Sequence, residues 1–340
     1  AADVVYGRNI FSTRNLTFAP SENLATPENY TLGPGDEVII DIWGTNQTTI
    51  RQTISPDGFI NINDIGLVYL SGMTVKEADS YMRRKLNQIY SVDGDDAKSE
   101  MKLSLGSIRT IQVNIMGEVV MPGTYYLSSM SNLYHAVYRA GGVNALGSLR
   151  DIQLVRDGKK VASVDVYDFL QNGTLPADIT LQEGDIILVH PYDALVDISG
   201  NVKRPMFYEL KEGETIGDLI SYAGGFTGDA YSSNLRVIRR NGREYQIFTV
   251  DQPEYSSFNL MDGDAVSVGA MLDRYENKLE IRGAVYRPGI YQLCDNISTV
   301  SQLIAKADGL TGDAFTNRAI LHREKEDLTL EVIPLDIKSI

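Results

Sequence analysis

Apolar and polar positions change period along the chain, and each change marks an element. Residues 1–29 keep no sustained period, yet Tyr6, Ile10, Phe11, Leu16 and Phe18 are too frequent for a bare linker. They predict an extended arm that lies on another part of the protein. Leu32-Gly33-Pro34-Gly35-Asp36 reads as a turn, with proline fixing φ and glycine free to take positive φ. Val38, Ile40 and Ile42 then alternate with Ile39 and Asp41, as in a mostly buried strand. Residues 54–62 predict a hairpin turning at Pro56-Asp57-Gly58. Val75, Ala78, Met82, Leu86 and Ile89 recur at helical spacing and predict a helix over 75–89. Thr74 stands at its N-cap, and Glu77 completes a capping box.

Beyond Met101 the chain repeats itself. Gly117-Glu118-Val119-Val120-Met121-Pro122-Gly123 is echoed by Gly200-Asn201-Val202-Lys203-Arg204-Pro205-Met206 and by Gly283-Ala284-Val285-Tyr286-Arg287-Pro288-Gly289. The leading glycines are 83 residues apart both times, and Tyr125, Tyr208 and Tyr291 follow the turns. A fixed internal period is the signature of repeated supersecondary units. Three apolar stripes come next: Leu133, Ala136, Val137, Ala140; Ile216, Leu219, Ile220, Ala223; and Val300, Leu303, Ile304, Ala307. Asn132, Thr215 and Thr299 precede them as N-caps, and Gly141-Gly142, Gly224-Gly225 and Asp308-Gly309 end them. Asp157-Gly158 and Asn241-Gly242 are hairpin dipeptides. Two repeats close with Leu181-Gln182-Glu183-Gly184-Asp185 and Leu260-Met261-Asp262-Gly263-Asp264, each opening a β-rich run, which the third does not reach by Ile340. Each repeat therefore reads as strand, Pro turn, strand, short helix, hairpin, closing strand. That is a small α+β unit with one helix across a curved sheet, in the manner of a β-grasp. A third repeat without its closing strand is expected to leave an unpaired sheet edge and to belong to a longer protein.

Composition narrows the function classes. The 340 residues suffice for several domains, and 45 acidic against 31 basic residues give a net charge of −14, which argues against a general nucleic-acid binder. The single Cys294 excludes an internal disulfide framework. His135, His190 and His322 lack metal-ligand spacing. No apolar run approaches the roughly 20 residues of a membrane-spanning helix, and the N-terminus has no signal-peptide pattern. Asp93, Asp95 and Asp96 around Gly94 suggest a calcium loop, but the pattern lacks its closing Glu, so a solvated loop is the simpler reading.

The ordered combination of Tyr30-Thr31-Leu32-Gly33-Pro34-Gly35-Asp36, Ser55-Pro56-Asp57-Gly58 and the capped helix at Thr74 resembles the export domain of bacterial outer-membrane polysaccharide export proteins, the Wza-like family. The repeats resemble soluble-ligand-binding β-grasp (SLBB) domains, whose hallmark Gly-x-Val-x-x-Pro-Gly-x-Tyr, short helix and Ala-Gly-Gly is matched in full by residues 117–125 and Ala140-Gly141-Gly142. Gly147-Ser148-Leu149-Arg150 looks like the family's continuation. Met206 and Asp308 depart from the pattern where glycine is usual. The resemblance implies a multidomain α+β chain: an arm over 1–29, an export domain over 30–111, SLBB repeats over 112–193 and 194–276, and a truncated third over 277–340. Gly33, Pro34, Gly35, Asp36, Asp57, Gly58, Gly117, Pro122, Gly123, Gly200, Pro205, Gly283, Pro288 and Gly289 are its structural motif residues. It further implies an exported envelope protein on the periplasmic side of the outer membrane, its signal removed. Such proteins form homo-oligomeric rings that conduct polysaccharide and work with an inner-membrane co-polymerase or tyrosine kinase. Membrane contact is expected only through parts outside these residues.

No phosphate-binding loop, dinucleotide fingerprint, metalloprotease motif or nucleophile elbow is present, so neither a catalytic residue nor a cofactor nor a metal site is expected. Asp57, Asp64, Glu118 and Asp185 fall in turns or at strand starts, where carboxylates cap local N–H groups; paired carboxylates of a glycan-cleaving enzyme are the rival reading. Tyrosine is abundant, 19 against nine Phe and one Trp. Its apolar face and polar tip suit sugars. Recurrence assigns Tyr125, Tyr208 and Tyr291 to the fold, while Tyr126, Tyr134, Tyr138, Tyr222 and Tyr231 are candidate exposed glycan contacts. Arg204 and Arg287 are candidates for acidic sugars or a neighbouring subunit. An acidic wall repels polyanions, so the net charge favours neutral cargo if it is evenly spread. The alternative is a tandem β-grasp protein that captures a soluble glycan without forming a conduit.

Overall fold

The structure, a computed structural model, describes residues 5–12, 25, 27–94, 97–174 and 179–340. It divides into two compact units, residues 1–270 and 271–340.

The first unit begins with strands β1 (Glu37–Gly44) and β2 (Thr48–Thr53), the β3 (Phe59–Ile62)–β4 (Gly66–Tyr69) hairpin, helix α1 (Val75–Tyr90) and strand β5 (Ser99–Leu105). Val38, Ile40 and Ile42 alternate into the core as their period demands. Sheet order is β2-β1-β5, and α1 turns Val75, Ala78, Met82 and Leu86 toward the same cluster. The Thr74–Glu77 capping box forms. The hairpin expected over 54–62 is corrected: β3 pairs with β4, in a separate sheet from β2. The Pro-Asp-Gly turn, closed by Ser55 N–H on the Phe59 carbonyl at 2.8 Å, carries the chain between the two sheets. Asp95 and Asp96 of the acidic loop lie outside the described residues.

The first repeat contains β6 (Thr110–Gly117), β7 (Gly123–Ser128), α2 (Leu133–Arg139), β8 (Gly147–Arg156), β9 (Lys159–Val164), α3 (Val166–Asn172) and β10 (Ile186–Pro191). The second contains β11 (Ala194–Gly200), β12 (Met206–Leu210), α4 (Ile216–Tyr222), β13 (Asn234–Arg240), β14 (Tyr245–Asp251) and β15 (Ala265–Val268). Their sheets run β7-β6-β10-β8-β9 and β12-β11-β15-β13-β14. The closing strand thus lies in the middle of each sheet, parallel to the first strand and antiparallel to the hairpin. In β10, Ile187 and Val189 are buried on one face, and Ile186 and Leu188 are half-buried on the other. Helix α3 was not legible as an element, although Asp165 caps it through Tyr167 N–H. Both repeats and the arm share one apolar cluster.

The described part of the arm, residues 5–12, is a run of turns rather than an extended segment. Tyr6 N–H donates to the Phe207 carbonyl at 2.9 Å, and Tyr6, Ile10 and Phe11 are buried. The Tyr6 ring meets Tyr167 edge-on at 5.1 Å and Tyr208 at 5.2 Å. Leu16 and Phe18 fall outside the described residues.

The second unit carries β16 (Lys278–Ile281), β17 (Gly289–Gln292), α5 (Val300–Lys306), β18 (Ala319–Glu324) and β19 (Leu330–Leu335). Its strands form two separate pairs, β16-β17 and β18-β19. Asn132, Thr215 and Thr299 each make a capping box, and Asp308 adopts the left-handed conformation of the glycines it replaces, with φ 60°.

Candidate functional site

The polar chemistry of the chain gathers where its domains meet. One aspartate turn recurs three times: Leu32 to Asp36, Leu181 to Asp185 and Leu260 to Asp264. In each, the aspartate is buried and accepts from the backbone N–H three residues earlier, at Gly33, Gln182 and Met261 (2.9, 2.7 and 2.9 Å). In each an arginine meets it: Arg109 at 2.6 Å, Arg156 at 2.8 Å and Arg239 at 2.7 Å. A carboxylate taken from water is tolerated when its lone pairs are used in this way. Sequence reading saw the last two turns as equivalent and the first only as a Pro-Gly turn; the shared Leu-x-x-Gly-Asp spacing was the signal.

At the first turn, this device lies beside the first repeat, and Tyr30 and Arg109 both reach Ser129 of that repeat. Asp36 also accepts from Arg109 N–H at 2.8 Å and from Tyr30 Oη, which lies 2.6 Å from Ser129 Oγ. Burial pushes the Tyr30 phenol up to about 12, so it stays a hydroxyl at any physiological pH. Beside it opens a cleft of about 370 Å³ lined by Asn29, Tyr30, Arg109, Ser129, Met130 and Gln182, among others.

A second junction joins the two complete repeats around Arg150, whose Nε donates to Asp165 at 2.8 Å. Its Nη1 and Nη2 donate to Glu214 at 3.0 and 2.9 Å, and Nη1 also reaches the Glu209 carbonyl at 2.9 Å. The guanidinium lies over Tyr167 at 4.3 Å and Tyr222 at 5.0 Å. Burial opposes its charge, but the hydrogen bonds it donates to Glu214 and Asp165 outweigh that and hold its pKa above the usual value. Beside it Glu209 is buried, accepting from Ser148 Oγ and from Leu149 N–H at 2.8 Å. Burial pushes the Glu209 carboxyl up, against those hydrogen bonds and the charges of Arg8 and Arg150. The Gly147-Ser148-Leu149-Arg150 segment was visible as a motif; its role as a junction was not, because its partners lie about sixty residues away.

The recurrent tyrosines latch their turns. Tyr125, Tyr208 and Tyr291 each donate to the carbonyl four residues back, on Met121, Arg204 and Arg287, at 2.6, 2.8 and 2.6 Å. The glycan candidates separate. Tyr126 and Tyr231 are exposed. Tyr138 is half-buried, packed against the core, and so is Tyr222, whose hydroxyl donates to Glu214 at 2.6 Å. Tyr134 is corrected: it faces the core from α2 with 1% exposure, near Phe11 and Phe169, where no polymer reaches. Arg204 lies over the Tyr6 ring at 5.0 Å and donates to the Tyr222 carbonyl at 3.1 Å. Arg287 is exposed and pairs with Asp308. Within the first unit the candidates do not share one surface, since Tyr134 lies in the core while Tyr126 and Tyr231 are exposed.

Asp57 and Asp64 are exposed in turns, Glu118 accepts from Asn144 at 2.8 Å, and Asp185 is consumed by Arg156. Among the described residues no group of three or more His, Cys, Asp or Glu is placed to hold a metal. No helix among them is long and apolar enough to cross a membrane, which says nothing of a β-barrel.

Comparison with known proteins gives this arrangement a family. Residues 24–95 match the family described as Polysaccharide biosynthesis/export protein, and residues 111–189, 195–248 and 278–333 match SLBB domains. The polysialic acid transport protein KpsD of Escherichia coli is 25% identical over 256 residues, 75% of this chain and 44% of that protein. The EPS I polysaccharide export outer membrane protein EpsA of Ralstonia nicotianae is 26% identical over 281 residues, 74% of this chain and 71% of that one. The chain thus spans less than half the length of KpsD. These relatives are transport proteins rather than enzymes by their names. The chain belongs to the Wza-like polysaccharide export proteins, an α+β export domain followed by tandem SLBB domains.

Proposed function

We propose that the protein is a non-enzymatic component of capsular or exopolysaccharide export across the periplasm and outer membrane, working as a subunit of a homo-oligomeric ring. The observation that carries this reading is the ordered series of an export domain and SLBB repeats whose relatives are named for polysaccharide transport and export. The two junctions support it physically: the Tyr30–Ser129 contact and the Arg150 cluster tie the export domain and the first two repeats into one body suited to building a wall. Hydrated, polar walls let a polymer slide without tight binding.

Ring assembly and an inner-membrane co-polymerase or tyrosine kinase as partner are parts of the same proposal, as is a periplasmic site on the outer membrane. Exposed Tyr126, Tyr231 and Arg287 are the contacts it offers to polymer or a neighbouring subunit. Deleting the gene should abolish surface or secreted polysaccharide, with restoration by the intact gene; a deletion strain that displays its full polysaccharide overturns the reading. Light scattering and negative-stain imaging of the detergent-extracted native protein should show closed rings.

The cleft beside Tyr30 favours a second reading, capture of a soluble glycan without a conduit. It combines hydroxyl, amide and guanidinium groups with the apolar Met130, the mixture that binding clefts use. Saturable glycan-array binding by a monomeric native protein would support it over the ring.

A further inference from the structure

An arginine meets the buried aspartate of each Leu-x-x-Gly-Asp turn, but not with the same edge. Arg156 holds Asp185 side-on, with Nε and Nη2 both at 2.8 Å. Arg239 holds Asp264 in the same way, with Nε at 3.0 Å and Nη2 at 2.7 Å. Arg109 reaches the Asp36 carboxylate through Nη1 alone, and that nitrogen also donates to Tyr30 Oη at 3.0 Å. Its side-on edge, Nε and Nη2, has no hydrogen-bond partner among the described residues.

The guanidinium is nevertheless held in place. A Cβ on Gly33 would lie 2.7 Å from its Nη1 and 2.9 Å from its Cζ, so only glycine lets it lie so close to the turn. The Tyr30 ring centroid is 5.7 Å from Cζ. The Arg109 side chain lines the cleft of about 370 Å³, and among the described residues that line it Arg109 alone is charged. Asn29 and Gln182, both exposed, offer amide groups there, and Met130 an apolar patch. In a chain of net charge −14, this cleft is thus lined by no described carboxylate. Arg150 shows the same chemistry completed, because its one guanidinium carries Asp165 on Nε and Glu214 on Nη1 and Nη2.

We infer that the cleft takes an acidic sugar residue, its carboxylate bidentate on Nε and Nη2 of Arg109 and its hydroxyls on Asn29 and Gln182. The inference rests on the reading of this cleft as a glycan site and names the class of sugar. A planar carboxylate matches the two parallel N–H groups on one guanidinium edge. No second cation among the described lining residues is present to share the charge of a phosphate. The amide groups and the apolar patch suit a sugar ring better than a bare anion. Arg109 then carries two carboxylates, that of Asp36 and that of the sugar, in the manner of Arg150.

The test titrates the intact 340-residue chain with methyl glucuronide and with methyl glucoside, which differ only in a carboxylate against a hydroxymethyl group, and reads binding by ligand-observed NMR. The glucuronide should bind about tenfold or more tightly, as a charge-assisted hydrogen-bond pair provides. Gln182→Glu puts a carboxylate into the cleft and spares the fold, because the Gln182 backbone N–H rather than its side chain caps Asp185. It should remove the preference for the acid. Arg109→Lys, which keeps a charge beside Asp36 but lacks the fork, should do the same. Equal affinity for the two sugars overturns the inference while leaving glycan capture by the cleft in place, and binding of neither overturns both. A preference indifferent to both substitutions overturns the inference, because the carboxylate then sits elsewhere. Acetate that binds as tightly as the glucuronide also overturns it, because the site is then one for a bare anion.

Discussion

Arg150 illustrates how one side chain can hold two domains. It brings Asp165 of the first repeat and Glu214 of the second onto one guanidinium with 5% of the side chain exposed. Removing one member of a buried ion cluster strands the others, so Arg150→Ala should lower stability by about 3–5 kcal/mol, read as a smaller urea midpoint at unchanged slope. Glu209 makes stability depend on pH. Its fold favours the protonated form, so its contribution to stability is full below the ordinary glutamate pKa and is lost as pH rises through the raised value. The stability difference between the native protein and Glu209→Gln should therefore move against the native protein as pH is raised from about 4. Denaturant titrations of both proteins across that range check the sign. The tyrosine latches are smaller: Tyr208→Phe removes one hydrogen bond and should cost about 1 kcal/mol. Recurrence made those tyrosines legible as structural, but no local pattern reveals that Tyr134 points inward while Tyr126 points out.

Among the elements, those with local chemistry were readable and those defined by distant pairing were not. The α2, α4 and α5 stripes, their caps and their left-handed ends all follow from residues within a single turn of one another. Thr215→Ala should cost about 1 kcal/mol through the lost cap. Helix α3 escaped because its signal, Asp165 before Val166, Tyr167 and Phe169, is too short to stand out from a hairpin's end. The hairpin over 54–62 was misread because Pro56-Asp57-Gly58 fits a turn within a sheet as well as one between sheets. The central position of β10 and β15 depends on parallel pairing with strands some seventy residues away, which no dipeptide encodes. Two glycine variants measure that pairing. Gly117→Ala thrusts a methyl into the Val189 carbonyl and should destabilise the first unit severely, whereas Gly283→Ala meets open space and should cost only the backbone strain, about 1–3 kcal/mol. Separate thermal transitions of the two units would report each effect.

On the scale of the first unit, the arm closes what the repeats leave open. Tyr6, Ile10 and Phe11 fill the seam, and Arg8 donates to the Asn144 carbonyl at 3.0 Å and to the Gly147 carbonyl. Deleting residues 1–12 uncovers Tyr167 and Tyr208 and should lower stability by a few kcal/mol, about 1.5–3 kcal/mol per large side chain before the entropy regained by the chain. Chemical denaturation checks the loss. The sequence announced the arm through its aromatic content, but its berth is assembled from both repeats and exists only once they are folded.

The central place of the closing strand also sets an order of events during synthesis. β6 and β8 have no common neighbour until Ile186 has left the ribosome, and β11 and β13 none until Ala265 has. Each repeat's long-range pairing is thus completed by the last strand to be made, and loop closure must precede the contacts that reward it. A nascent repeat remains an unlocked hairpin and helix until that moment, and it becomes rigid only when its last strand takes the central place.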